Sequence, residues 1–152
     1  MVSHHLLDCL AVLPHLPMPA DGALADVGAG AGLPGIALAV ARPQWQVTLN
    51  DASQKKCAFM RQATIELGLH NVQVHEGRVE HWVPQTRFAL VISRAFTELE
   101  RFIALCSHLV AAGGVLAAMT GARPQHAACT VVALRVPGLQ ARRHLALCRP
   151  LG

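Results

Sequence analysis

The residues with chemistry to offer are few and fall in a definite order. Asp26 stands two positions before Gly28, and Gly30, Gly32 and Gly35 complete the stretch LADVGAGAGLPG at residues 24–35. Asp51 follows the segment QVTLN, Gly77-Arg78-Val79-Glu80 follows NVQVHE, and Ser93-Arg94-Ala95-Phe96 ends the apolar run FALVIS. A strand that stops in a glycine-rich turn and re-emerges as a helix lets main-chain N–H groups approach a ligand closely. The helix N-terminus adds partial positive charge at the same place.

Two ligands suit the turn. Gly30, Gly32 and Gly35 satisfy GxGxxG, and Asp51 lies about 20 residues beyond, as a dinucleotide fingerprint requires. Gly28, Gly30 and Gly32 equally satisfy a GxGxG turn with Asp26 ahead of it. An acid there attracts a cationic amino group and repels a pyrophosphate. Pro34 also removes an N–H that a dinucleotide would use.

The remaining candidates each carry two readings. Asp51, at the end of a strand, can accept both hydroxyls of a ribose or cap the helix beginning near Ser53. Val79 and Glu80 fit a loop lying against adenine, while Arg78 and Glu80 also fit a surface pair worth under ~1 kcal/mol. Arg94 leaves the most apolar strand for the crevice, which favours a functional cation. Lys55, Lys56, Arg142 and Arg143 are cations for phosphates or ordinary solvated charges. His144 reads as a packing or hydrogen-bonding residue. No nucleophile is evident: GxSxG is absent, no Cys–His pair is legible, and the chain has no tyrosine.

These residues need elements to position them. A helical stripe at residues 5–13 (Leu6, Leu7, Leu10, Leu13) ends at Pro14 and leads into a Pro-rich linker. Residues 1–19 are therefore expected to form a helix and linker ahead of a domain at 20–152. Strands are expected at 24–27, 46–50, 71–75, 88–93, 115–119, 130–136 and 144–148. Helices are expected at 36–41, 53–67 and 98–112, the second capped by Ser53 with Cys57, Met60, Thr64 and Leu67 inward, the third stopped by Gly113-Gly114. Strand–helix alternation followed by strand–strand predicts the α/β class, a mostly parallel seven-stranded sheet with helices on both faces and an antiparallel edge hairpin. The ligand crevice of such a sheet lies at the carboxyl ends of its strands, where all the candidates above fall.

The totals set bounds. A chain of 152 residues, 53% hydrophobic and 14% charged, is one globular domain and not a disordered segment. The net charge of +4 is compatible with a polyanionic partner without establishing one. Five cysteines, widely spaced and without CxxC, argue against a disulfide framework or a zinc site and fit a reducing cytosol. Nine histidines include no HxxxH, so no metal is expected. No signal peptide is visible, and the apolar run at 109–119 is well short of the ~20 residues that span a bilayer. A soluble, cytoplasmic protein with no membrane partner is expected. The first helix lies almost at the start of the chain, which predicts a missing or reduced N-terminal part.

DVGAGAGLPG, LNDASQKKCAFMRQA with ELGLHN, GRVE and SRAF, in this order and spacing, resemble the bacterial RsmG (GidB) family of 16S ribosomal RNA guanine-N7 methyltransferases. The likeness covers nearly the whole chain: HHLLDCLAVLPHL is similar to the family's segment before the first strand, and RRHLALCRP to its closing strand. LPG after the turn, KK with a following F-x-R-Q, and SRAF are its specific parts. The resemblance implies a Rossmann-like, S-adenosylmethionine-dependent methyltransferase fold. It also implies methylation of a guanosine in the 530 loop, with 16S rRNA or the 30S subunit as partner. Carried onto matching positions, Gly28 and Leu33 would contact the cofactor in the turn, Val79 and Glu80 would lie at the adenosine, and Arg94 would act in the same crevice. Asp26, Gly30, Gly32 and Asp51 join the cofactor set on the physical grounds above, and Lys55, Lys56, Arg142 and Arg143 are the expected RNA contacts. The chain departs from the family in lacking most of a helical N-terminal region, in Ala89 where the family has an acid, and in Thr120-Gly121 where it has Lys-Gly.

Guanine N7 has a free lone pair at neutral pH and needs no general base, which agrees with the absence of an evident base or nucleophile. Catalysis can then be largely alignment in a preorganised pocket. An NAD-dependent oxidoreductase is the rival enzyme. A weakened or inactive RNA-binding relative of the methyltransferase is the non-enzymatic rival.

Overall fold

The run ALADV becomes the central strand of the sheet because both of its faces can be buried. This strand, β1 (Ala23–Val27), lies parallel between β2 (Gln46–Asp51) and β4 (Phe88–Ser93), with Leu24 opposite Val47 on one side and Leu90 on the other. The structure is a computed structural model that describes residues 2–94, 98–135 and 143–151. With β3 (Val72–Glu76), β5 (Val110–Thr120), β6 (Cys129–Leu134) and β7 (Arg143–Cys148), the sheet has seven strands in the order β3-β2-β1-β4-β5-β7-β6. The first five strands run parallel, and β7 is antiparallel to both β5 and β6. Strand order reverses between β1 and β4, which places a crevice at their carboxyl ends.

Side chains alternate across this sheet. Leu24, Leu49, Leu90 and Ile92 meet Leu38 of α2 (Gly35–Ala41), Cys57 and Met60 of α3 (Gln54–Glu66), and Val12 and Leu16, which follow α1 (Val2–Ala11). On the other face Ala25, Val27, Val91 and Leu116 meet Phe102, Ile103 and Cys106 of α4 (Leu99–Cys106). Ser53 caps α3 by accepting the Lys56 N–H at 3.2 Å.

Four expectations are corrected. The first helix turns a different face inward: Asp8, Cys9, Val12 and Leu16 are buried, whereas Leu6 is 41% exposed. The stripe of leucines misleads because Asp8 is buried through an ion pair, which apolar periodicity cannot register. Leu67 is exposed, since α3 ends one residue earlier. The helix expected to run to residue 112 stops at Cys106, and β5 starts at Val110 with Gly113-Gly114 inside it. The two glycines sit where the pairing of β4 with β5 shifts between Phe88 and Leu90, so they mark a bulge and not a helix end. A side chain at Gly114 would come within 2.8 Å of the Ala89 carbonyl, which explains why that position is bare.

Finally, Cys129 and Cys148 form a disulfide across β6 and β7, while Cys9, Cys57 and Cys106 are buried thiols. Antiparallel register sets the pair directly opposite each other, a proximity that spacing in the chain does not reveal.

Asn71 ties the end of α2 to the sheet. Its side-chain amide donates to the carbonyls of Ala39 at 3.1 Å and Trp45 at 3.0 Å, with Arg42 at a longer 3.4 Å. An amide has two hydrogens, so the two shorter bonds carry the interaction. Asn71→Ala is expected to lower unfolding stability by about 1–3 kcal/mol, read from the urea midpoint at unchanged m-value.

Candidate functional site

The turn after β1 separates its glycines into two jobs. Gly28 and Gly30 adopt φ of +67° and +59°, the left-handed region that favours glycine. A Cβ at Gly28 would meet nothing within 4 Å, and one at Gly30 would meet only the Gly28 carbonyl at 4.0 Å. Both face open space. Gly32 and Gly35 are closed in, the first by the Ile36 side chain and the second by Leu49 and Asp26.

Asp51 fixes the open half of the turn. Its Oδ2 accepts the Gly30 N–H at 3.0 Å and its Oδ1 accepts the Ser53 N–H at 2.9 Å. Asp51 therefore caps α3's approach and braces the turn at once, with a further lone pair on each oxygen for a ligand. The Ala29 N–H donates to the Asn50 carbonyl at 2.8 Å, which ties the turn to β2. The buried Asn50 side chain donates to the Gly77 carbonyl at 3.0 Å and so links β2 to the loop after β3.

Between these segments lies a cleft of about 480 Å³. Gly28, Asp51, Val79 and Glu80 line it, as do Val27, Asn50, Gly77, Arg101 and Leu105. Asn50 and Asp51 stand on the β2 side, and Arg101 and Leu105 reach in from α4. A ribose facing a carboxylate and a flat base against Val79 and Leu105 match this division. Arg78 and Glu80 do approach each other, at 3.7 Å. The carboxyl of exposed Glu80 is held below the usual range by a main-chain hydrogen bond from its own N–H, with Arg78 and His81 as lesser causes.

Asp26 lies beneath the turn with no exposure. Its Oδ2 accepts the Gly35 N–H at 2.8 Å, and its Oδ1 is buried without a partner. Burial pushes its carboxyl up to about 7, against the lowering effects of the Gly35 N–H and Arg94. The first free donor of α2 is thereby taken internally, and Pro34 before it has none, so the helix end offers little to a pyrophosphate. Leu33 is half-buried at the far end of the turn.

Arg94 lines a second cavity, of about 190 Å³, beyond β4. Arg143 is there too, and its Nε–H donates to Asp8 Oδ2 at 3.1 Å. Thr120 and His144 complete the wall, with His144 Nδ1 3.1 Å from the Gly121 carbonyl. Lys55 and Lys56 are exposed at the start of α3, apart from both cavities. Arg142 lies outside the described residues. Among the described residues no group of three His, Cys, Asp or Glu side chains could hold a metal ion, and no helix is long and apolar enough to cross a membrane. Asn50, Arg101, Leu105 and Asp8 were not foreseen from the sequence. A lone acid on an apolar helix was the one signal available for Asp8.

Comparison with known proteins narrows the ligand. The family model described as rRNA small subunit methyltransferase G matches residues 1–135. The ribosomal RNA small subunit methyltransferase G of Methylobacillus flagellatus is 52% identical over 152 residues, covering 95% of this chain and 73% of that protein. Among solved structures, TrmN from Thermus thermophilus superposes with a TM-score of 0.69 at 16% identity over 94% of this chain and 48% of its own. Coclaurine N-methyltransferase bound to N-methylheliamine and SAH superposes at 0.66 with 13% identity, over 82% of this chain and 35% of its own. The structural likenesses establish the fold.

The buried Asp26 has a measurable consequence. In the unfolded chain its pKa is near ~4, against about 7 when folded. Between those values the unfolded chain has released a proton that the folded chain keeps, so stability falls as pH rises through that window. The contribution is fully present below the unfolded value and gone above the folded one. Asp26→Asn keeps an acceptor for the Gly35 N–H and has no such loss. Its stability relative to wild type is expected to climb from pH 4 to pH 7 and then level off in urea titrations; a pH-independent difference would contradict the buried carboxyl.

Proposed function

The chain belongs to the rRNA small subunit methyltransferase G family, and from that premise we propose that it methylates N7 of a guanosine in the 530 loop of 16S rRNA, using S-adenosylmethionine. The observation that supports this reading most directly is the cleft at the glycine turn. Two glycines at positive φ leave open space at the turn, a carboxylate stands across from them, and Val79 and Leu105 give the far side apolar surface beside Arg101. Those residues fit a nucleoside carrying an amino-acid tail.

When bound, the cofactor supplies a methyl group on a sulfonium, which is already electrophilic. Asp51 holds the ribose hydroxyls with the lone pairs left over from bracing the turn. Val79 and Leu105 exclude water from the base, and Glu80 and Asn50 supply polar contacts at its edge. Gly28 and Leu33 flank the amino-acid end, with Gly30 and Gly32 shaping the turn and the buried Asp26 carboxyl below it. Guanine N7 brings its own lone pair, which becomes the new N–C bond while the electrons of the methyl–sulfur bond remain on sulfur. No proton moves, and the base becomes cationic. Alignment and desolvation are then the main tasks of the protein. Arg94 organises the acceptor side and is the catalytic residue of this reading. Lys55, Lys56, Arg142 and Arg143 contact RNA phosphates, the assembled 30S subunit is the partner, and the reaction takes place in the cytoplasm.

The internally satisfied start of α2 disfavours the oxidoreductase alternative, and a ligand test decides it. S-adenosylhomocysteine is expected to raise the melting temperature and NADH to leave it unchanged; the reverse pattern would sink the methyltransferase reading. Asp51→Ala should weaken S-adenosylhomocysteine by roughly 10- to 100-fold, the worth of a hydrogen bond to a charged group. Arg94→Ala should retain that affinity and lose methyl transfer to 30S particles from cells lacking the modification. Salt-sensitive binding of those particles without any methyl incorporation by wild type would mark an inactive RNA-binding relative.

A further inference from the structure

The second cavity holds a buried acid that structural packing explains only by half. Asp8 projects from α1, and its side chain is 4% exposed. Oδ2 takes the Arg143 Nε–H at 3.1 Å and so latches α1 to β7 across 135 residues of chain. Oδ1 is buried and has no partner among the described residues. A latch accounts for the first oxygen and leaves the second costly, because an unmet buried acceptor forfeits its hydration. Arg94, Thr120 and His144 share the cavity with it, at the carboxyl ends of β4 and β5 and the start of β7. This cavity shares no lining residue with the cleft at the glycine turn, and β1 and β4 run between them.

Resting on the reading that this chain methylates guanine N7, we propose that the cavity receives the acceptor base and that Asp8 selects guanine by accepting from its N1–H and N2 amino group. A carboxylate offers acceptors only, and guanine alone among the four bases presents two adjacent donors on that edge. Adenine and cytosine each set a ring-nitrogen acceptor beside their amino group, and uracil flanks its one donor with carbonyls. Those edges meet the carboxylate with repulsion.

A cavity of about 190 Å³ suits a base drawn out of its stack, as enzymes acting on bases commonly require. The N1–N2 edge lies away from N7, so holding it leaves the reacting nitrogen uncovered. As N7 gains the methyl group the ring becomes cationic and its N1–H and N2–H become stronger donors. The bond to Asp8 is therefore tighter in the transition state than in the ground state, the condition for raising the rate and not merely the affinity. Arg143 fixes the rotamer of Asp8 through Oδ2 and acts as a positioning residue.

Small-subunit particles lacking the modification, reconstituted with either guanosine or inosine at the acceptor position, test this directly, since inosine lacks the N2 amino group. With S-adenosylhomocysteine present, wild type is expected to bind the guanosine particle about tenfold more tightly than the inosine particle. Asp8→Asn should bind the two alike, keep its S-adenosylhomocysteine affinity within twofold, and lose about a hundredfold in kcat/KM for transfer to guanosine. Equal binding of the two particles by wild type, or an undiminished preference in Asp8→Asn, would overturn the proposal; the wild-type comparison decides even if the variant does not fold. A wild-type chain that prefers guanosine but transfers no methyl group upholds the base pocket and removes the methyltransferase reading alone.

Discussion

A carboxylate sealed beneath the central strand's exit holds the glycine turn together. Asp26 has no contact with solvent, and Gly35 lies so close that a Cβ there would run into it and into Leu49. The Gly35 N–H bond at 2.8 Å gives that acid one firm partner. Without it, the burial that lifts the carboxyl to about 7 would have little to offset it. This contact sets where α2 begins, and α2's beginning sets how far the chain must travel from Val27. Seven residues are left to turn back, and within them Gly28 and Gly30 adopt positive φ, with Gly28 presenting bare backbone to the cleft. The opening into which a ligand fits is in this sense the far side of a packing constraint.

From that constraint the sheet distributes two different environments. On the β2 and β3 side the cleft combines Asp51 and Asn50 with Val79 and Leu105, a mixture suited to a nucleoside. On the β5 and β7 side the smaller cavity gathers Asp8, Arg94, Arg143 and His144 around the ends of strands. Arg94 connects them electrostatically, since it draws down the carboxyl of Asp26 and the thiol of Cys9, both of which burial pushes up. The parallel strands β1 and β4 act as the partition, and Gly28 and Arg94, just past their ends, are the points where it reaches the surface. A pair of buried central strands makes that partition rigid.

Most of the parallel half was legible in the sequence, because each strand there is a short apolar run closed by glycine, aspartate or proline, and such punctuation is local. FALVIS and QVTLND are strands for reasons visible within six residues. The misplacements have non-local causes. Gly113-Gly114 reads as a stop until β4 is known to slip against β5, and the Cys129–Cys148 bond needs the register of the final two strands. At the site, Asp51 and Val79 could be placed from their positions at strand ends. Asn50 and Leu105 could not, since their roles come from reaching across to a loop or down from α4. Asp8 was hidden most completely, because its partner lies 135 residues away.

The charges around the smaller cavity bear on Thr120, the position at which the family resemblance implies a lysine. Arg94 and Arg143 already bring two positive charges to that wall, against the one carboxylate of Asp8 within it. Methyl transfer to N7 places a further positive charge on the base, so a third cation at the rim would oppose the product as it forms. A lysine there helps a phosphate-bearing substrate arrive; its absence leaves the developing charge less opposed. Thr120 keeps its hydroxyl engaged with the Ala122 carbonyl at 2.8 Å and so contributes no competing donor to the pocket. On this balance the substitution weakens docking of the polyanion more than it weakens the chemical step. The cost should therefore fall on KM at low salt, where electrostatic attraction is least screened, and shrink as salt rises, before it is seen in kcat.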